Sequence, residues 1–323
     1  MMRYISSSLF LIAFLMSTTL HAHGVHETNV ETSFVESPAS ILSFFISDLN
    51  AASSLRIKKK GGYRYIESDG LADHATGRFP NEHNPNKIAP QTHMFRMSLT
   101  PSVQRSPTFI GHAAFGVAIN GVPFDPSTTE YWNDDRASPW NLDAINGGIN
   151  LGLDQNNAHV QPNGAYHYHS IPVGLMERFD HYSKPVLLGY AADGFAIYGP
   201  YSYKDGNDMS SPLVNMFPSY RIKEGERSGT PGGKYDGTYT ADYEYVKGLG
   251  DLDQCNGRIG LTEEYPDGSY YYVITDTYPF IPRCWMGKAD ESFRKESVKP
   301  QGPGKIAPVE KGEDEVKKEQ EDR

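Results

Sequence analysis

Alternation with a period of two is the main hydrophobic pattern in this chain, and it predicts strands. Residues 165–171, A-Y-H-Y-H-S-I, put His167 and His169 on one face and Tyr166 and Tyr168 on the other. The turn signal Pro162-Asn163-Gly164 folds the preceding segment back alongside, which brings His159 opposite the histidine pair. Residues 93–99 alternate in the same way. Residues 110–120 carry the small residues suited to a sheet interior, and residues 185–200 read as two apolar strands around a tight Asp193-Gly194 turn. Residues 239–246 predict a further strand. The basic residues 56–60 run through Gly61-Gly62 into Tyr63-Arg64-Tyr65-Ile66, a hairpin with a solvated, charged edge. Residues 40–54 are apolar enough for a short strand or helix, with no period that decides between them.

Between these elements the composition changes. Residues 68–91 are rich in Gly, Pro, Asn and Asp, and a long segment of that kind inside a domain reads as a binding loop; it carries Asp73, His74 and His83. Residues 126–152, with Trp132 and Trp140, read as an irregular excursion, and residues 201–237 as a turn-rich surface loop. A repeat is also present. Leu153-Asp154-Gln155-x-Asn157 followed by Pro162-Asn163-Gly164-Ala165-Tyr166-His167-Tyr168-His169 matches Leu252-Asp253-Gln254-x-Asn256 followed by Pro266-Asp267-Gly268-Ser269-Tyr270-Tyr271-Tyr272-Val273. Shared turn chemistry predicts two equivalent hairpins, of which only the first has the histidines. The expected fold is mostly β: one domain over residues 40–287 with two related hairpin halves, a sandwich or distorted barrel of antiparallel hairpins with long loops.

The two ends differ from this domain. Arg3 followed by an apolar run over residues 9–16 and small residues up to Ala22 predicts a secretory signal peptide over residues 1–22. Residues 23–39 then read as a mobile polar segment, and cleavage after Ala22 would give His23 a free α-amine beside its ring, a copper-binding pair. No later run is long and apolar enough to span a membrane, so the expected location is the periplasm or outside the cell. From residue 288 the chain is mixed in charge and poor in aromatics, which predicts a disordered tail. In an oxidising compartment Cys255 and Cys284 most simply form one disulfide, the alternative being a thiolate pair on a metal. A net charge of -10 argues against nucleic acid or an anionic membrane as the partner.

The candidate chemistry is metal ligation. His167 and His169 with His159 form a His-x-His plus His set suited to Cu²⁺ or Zn²⁺, and the competing reading is a packed strand with polar tips. A fourth group would come from His74, from His112 or from water, with His83 a weaker candidate. Asp143 or Asp154 are candidates for Ca²⁺, while Asp193 is either a turn residue or the partner of a histidine's second nitrogen. Glu177 and Asp193 are candidate bases. There is no Gly-x-Ser-x-Gly elbow, phosphate loop or dinucleotide fingerprint. Three functions fit: a metal-binding or storage protein, a zinc hydrolase or copper oxidoreductase, and a non-catalytic envelope or adhesion protein.

The tetrad Tyr166-His167-Tyr168-His169 resembles the signature of the YHYH family of exported bacterial proteins. Supporting pieces are Asp69-Gly70-Leu71-Ala72-Asp73-His74, Phe79-Pro80-Asn81, Asn120-Gly121-Val122-Pro123-Phe124, Asp193-Gly194-Phe195, Cys255-Asn256-Gly257-Arg258 and Pro282-Arg283-Cys284. The resemblance implies a secreted β-rich domain and brings no activity with it. In members of the family the second tract often reads Tyr-His-Tyr-Val, and Tyr271 stands at the histidine position here.

Overall fold

The computed structural model describes residues 53–111 and 113–295. The expected signal peptide over residues 1–22, His23 and the segment 23–39, nearly all of 40–54, His112, and everything after Lys295 lie outside the described residues.

β1 (Leu55–Lys60) and β2 (Tyr63–Ser68) form the hairpin expected around Gly61-Gly62, and β3 (His93–Ser98) pairs with the other side of β2. β1 is exposed along its whole length, whereas β2 buries alternate residues, Arg64, Ile66 and Ser68. The chain continues through β4 (Thr108–Phe109), β5 (Gly116–Ala118), β6 (Pro123–Phe124), β7 (Ala158–Val160), β8 (Tyr166–Tyr168) and a one-turn helix α1 (Val173–Met176). Then come β9 (Leu187–Ala191), β10 (Ala196–Tyr198), β11 (Tyr201–Tyr203), β12 (Leu213–Asn215), β13 (Tyr220–Ile222), β14 (Tyr243–Tyr245), β15 (Gly257–Thr262), β16 (Tyr265–Val273) and β17 (Cys284–Trp285). The segment read as a surface loop over residues 201–237 thus holds three short strands.

Eight strands build one mixed sheet in the order β15-β16-β10-β9-β5-β6-β8-β7. The order is a palindrome of hairpins. β5 meets β9 antiparallel at the centre, each with its own hairpin partner, and the outer hairpins join by parallel pairs, β6 with β8 and β10 with β16. The antiparallel hairpins expected from sequence are therefore present, linked by parallel contacts that alternation alone cannot predict. A parallel neighbour needs a long crossover, which is what the irregular stretches after β6 and β10 supply. The mostly β expectation holds, and the sheet stays open, with β7 and β15 at its two edges, rather than closing into a barrel.

At the central pair Gly116 faces Ala191 and Ala118 faces Gly189, so a local two-fold passes between Val117 and Tyr190. Both glycines are sterically required. A Cβ on Gly116 would lie 2.5 Å from the Tyr190 oxygen, and one on Gly189 2.3 Å from the Val117 oxygen.

Phe115, Phe124, Tyr168, Leu188, Ile197 and Tyr272 belong to the main core, all fully buried. The predicted disulfide Cys255–Cys284 is present, and it ties the start of the second hairpin to β17. Beyond Gly287 the chain stays packed as far as Lys295: Phe293 is buried and its carbonyl accepts the Ala114 N–H. The boundary expected at residue 287 falls short because Phe293 stacks on Phe95, a contact distant in sequence. Among the described residues no helix is long and apolar enough to cross a membrane.

Candidate metal centre

The first hairpin sets the histidines. β7 and β8 pair antiparallel, as the turn predicts, with His159 opposite His167, and His169 follows directly after β8 on the His167 face. The hairpin is held by Asp154, whose carboxylate accepts the N–H of Asn156 at 2.8 Å, the N–H of Gly77 at 2.8 Å and the Tyr166 hydroxyl at 2.6 Å. Asn157 takes a positive φ of 54, and its carbonyl accepts the His169 N–H at 2.8 Å, which fixes the residue beyond the strand end. Asn and Asp tolerate that backbone region better than other side chains.

Three imidazoles converge as a result. Nε2 of His167 lies 3.0 Å from Nε2 of His169, and that atom lies 3.1 Å from Nε2 of His159. All three ligand atoms fall within 4.8 Å of one another, so the cluster can hold a metal ion. Tetrahedral coordination at 2.0–2.1 Å would space neighbouring nitrogens about 3.4 Å apart, close to the two short separations.

The outer nitrogens explain this arrangement. Nδ1 of His159 faces the Leu151 carbonyl at 3.0 Å and Nδ1 of His167 faces the Ala165 carbonyl at 3.2 Å. A carbonyl only accepts, so both rings carry their proton on Nδ1 and turn a bare Nε2 inward. Nδ1 of His169 is buried with no partner. No tautomer of His169 satisfies both of its nitrogens from the protein alone: a proton on Nε2 leaves Nδ1 as an orphaned acceptor, and one on Nδ1 leaves an orphaned donor and an Nε2 lone pair facing those of His167 and His159. An unmet buried polar atom costs about 1–3 kcal/mol. A cation at the centre would use all three Nε2 lone pairs; the His169 proton then sits on Nδ1, which has no protein partner, so the donor set fits a metal through its converging Nε2 atoms.

Burial also keeps the rings neutral. Desolvation, then the neighbouring His159 and Lys295, hold His167 well below the usual imidazole range. Desolvation, then His167, His159, Lys295 and Arg283, do the same for His169. His159 is part-exposed and is lowered by burial against the opposing pull of its Leu151 hydrogen bond. Two ion pairs with buried carboxylates stand nearby: the part-exposed Lys295 donates to Asp125, and Arg283 to Asp143 at 2.7 Å.

The tyrosines fill the opposite face. The Asn120 amide donates to the Tyr168 hydroxyl at 2.9 Å and to Asp73 at 3.0 Å, and Nε2 of His74 lies 2.6 Å from the same hydroxyl. His74 also has Nδ1 against the Ala75 carbonyl at 3.1 Å, so Nε2 accepts the phenol proton. His74 is therefore not brought to the histidine cluster; the pleat puts its partner Tyr168 on the other side of the strand. His83 lies exposed beside Glu82. Asp193 closes the β9–β10 turn as expected, but it accepts from Tyr272 at 2.5 Å and not from a histidine. Asp143 and Asp154 are committed to Arg283 and Tyr166, and no carboxylate cluster for Ca²⁺ forms among the described residues; Glu177 caps α1 on the surface.

Sequence reasoning misses the Leu151 and Ala165 carbonyls that orient the rings, and it misses Lys295. Backbone acceptors leave no side-chain signal, and Lys295 sits in a stretch whose composition reads as tail.

No curated protein and no solved structure matches the chain. The YHYH protein family model matches residues 94–287, more than half of the sequence and the whole of the histidine hairpin, and the chain belongs to that family.

Proposed function

We propose that this is an exported metal-binding protein with a mononuclear centre of His159, His167 and His169 that holds Cu²⁺ or Zn²⁺. The observation that carries the reading is the commitment of Nδ1 in His159 and His167 to backbone carbonyls, which leaves their Nε2 lone pairs aimed, with that of His169, at one point. Imidazole suits these borderline ions, whereas Ca²⁺ and Mg²⁺ prefer oxygen. Neutral rings are the ligating form, and burial of His167 and His169 favours that form. Three protein ligands leave one tetrahedral position for water or a small ligand, and His159 is the part-exposed member of the set.

Export is supported by the basic start and short apolar run at the amino end, and by a disulfide of the kind that persists in oxidising compartments. The expected location is the periplasm or the cell exterior.

Elemental analysis of protein purified from its native compartment tests the proposal. About one copper or zinc per chain is expected, with most of it lost in His167→Ala and His169→Ala while the far-ultraviolet circular dichroism is unchanged. Equal metal content in wild type and both variants would overturn it.

A further inference from the structure

The two-fold relation extends to the hydrogen-bond frame of the outer hairpins. Asp253 accepts the N–H of Cys255 at 2.8 Å and of Gly257 at 3.0 Å, as Asp154 accepts those of Asn156 at 2.8 Å and Ala158 at 3.3 Å. Tyr270 donates to Asp253 as Tyr166 donates to Asp154, and Asn256 repeats the φ of 54 found at Asn157. The register pairs Arg258 with Tyr271 where the first half pairs His159 with His167. Val273 accordingly stands in the place of His169. The same scaffold thus offers three Lewis bases in one half and a guanidinium in the other.

That guanidinium is held in place. Nη1 of Arg258 donates to the Tyr203 carbonyl at 3.2 Å and lies 3.1 Å from Sδ of Met216. Gly206 packs so closely that a Cβ there would sit 2.6 Å from Nη2 of Arg258. No carboxylate among the described residues forms an ion pair with Arg258, whereas Arg227 and Arg283 each have one. Arg258 instead lines an open cleft of about 470 Å³ with Lys204, Gly206, Asn207 and Ser211. The only carboxylate in the lining, Asp205, already accepts the Asn207 N–H at 2.9 Å. The cleft is largely open to solvent and presents two cationic side chains, Arg258 and Lys204, beside one carboxylate, Asp205.

We propose that this cleft is a binding site for a small oxyanion, a carboxylate or a phosphate, with the Arg258 guanidinium as its fixed anchor and Lys204 as a second, mobile charge. A guanidinium matches the spacing of two oxygens on either group and stays charged at any accessible pH. The first half then takes a cation and its twin an anion at equivalent register positions. This site does not depend on the metal reading, since none of its residues touches the histidine cluster.

The test is a nuclear magnetic resonance titration of the full chain with inorganic phosphate, with acetate, and with sodium chloride at matched ionic strength, following the amides of Gly206 and Asn207. Saturable shifts with phosphate or acetate are expected and identify which oxyanion is held, with affinity falling about tenfold in Arg258→Gln and about threefold in Lys204→Gln. The exposed Lys204 side chain makes no hydrogen bond or ion pair among the described residues, so a loss of binding in Lys204→Gln does not come from unfolding. Shifts that only follow the chloride control, or saturable shifts of equal affinity in both variants, would overturn the proposal.

Discussion

Replacing Tyr168 by Phe separates the two faces of the histidine strand. The ring keeps its burial and its packing against Phe124, so the hydrophobic contribution is preserved. What is lost is the hydroxyl, which accepts the Asn120 amide at 2.9 Å and donates to Nε2 of His74 at 2.6 Å. Asn120 is itself buried, and its remaining N–H goes to Asp73, so one amide hydrogen is left without a partner. Two neutral hydrogen bonds at about 0.5–1.5 kcal/mol each, one of them leaving a buried donor, predict a loss of about 1–3 kcal/mol. Urea denaturation of the metal-free protein measures it. The hydroxyl points away from the three Nε2 atoms, so metal affinity in a chelator competition should change less than about threefold, well under 1 kcal/mol. A stability change below about 0.5 kcal/mol would refute the hydrogen-bond assignment, and a tenfold loss of metal affinity, 1.4 kcal/mol, would refute the separation of the faces.

Two further outcomes follow from other parts of the fold. The disulfide joins residues 29 apart in sequence, and loop-closure entropy for about 30 residues predicts that Cys255→Ala with Cys284→Ala lowers stability by about 3.5 kcal/mol; a loss under 1 kcal/mol on denaturant titration would contradict it. Burial raises the Asp193 carboxyl to about 6 from 3.8, against the donors Tyr272, Gly287 and Phe195. The native state therefore binds this proton more tightly than the unfolded chain does. Its contribution to stability is fullest below about pH 4 and declines as pH rises through about 6, on the order of 3 kcal/mol in all. A ¹³C titration of the Asp193 carboxyl should find that midpoint, and a midpoint near 4 would contradict it.

The histidine centre was legible in the sequence to a large extent, because it rests on local rules. Alternation set His167 and His169 on one face, and the Pro162-Asn163-Gly164 turn folded the preceding segment back so that His159 could lie opposite them; the register itself, His159 opposite His167, came from the structure. The repeat pointed to the second hairpin for the same reason. The palindromic sheet was not legible. It depends on parallel pairing of β6 with β8 and β10 with β16, which joins residues far apart and has no turn to announce it. His74 was misjudged because a loop side chain has no period: its reach is decided by where residues 69–91 cross the sheet, which is the tyrosine face. The packed stretch up to Lys295 was missed since one buried aromatic, Phe293, outweighs the polar composition around it.

X-ray absorption at the metal edge of the copper- or zinc-loaded protein tests the central claim most directly. Scattering from three imidazoles at about 2.0–2.1 Å is predicted for the wild type, falling to two in His159→Ala. A first shell of oxygen alone, or one unchanged by the loss of His159, would contradict the assignment of this hairpin as the metal centre.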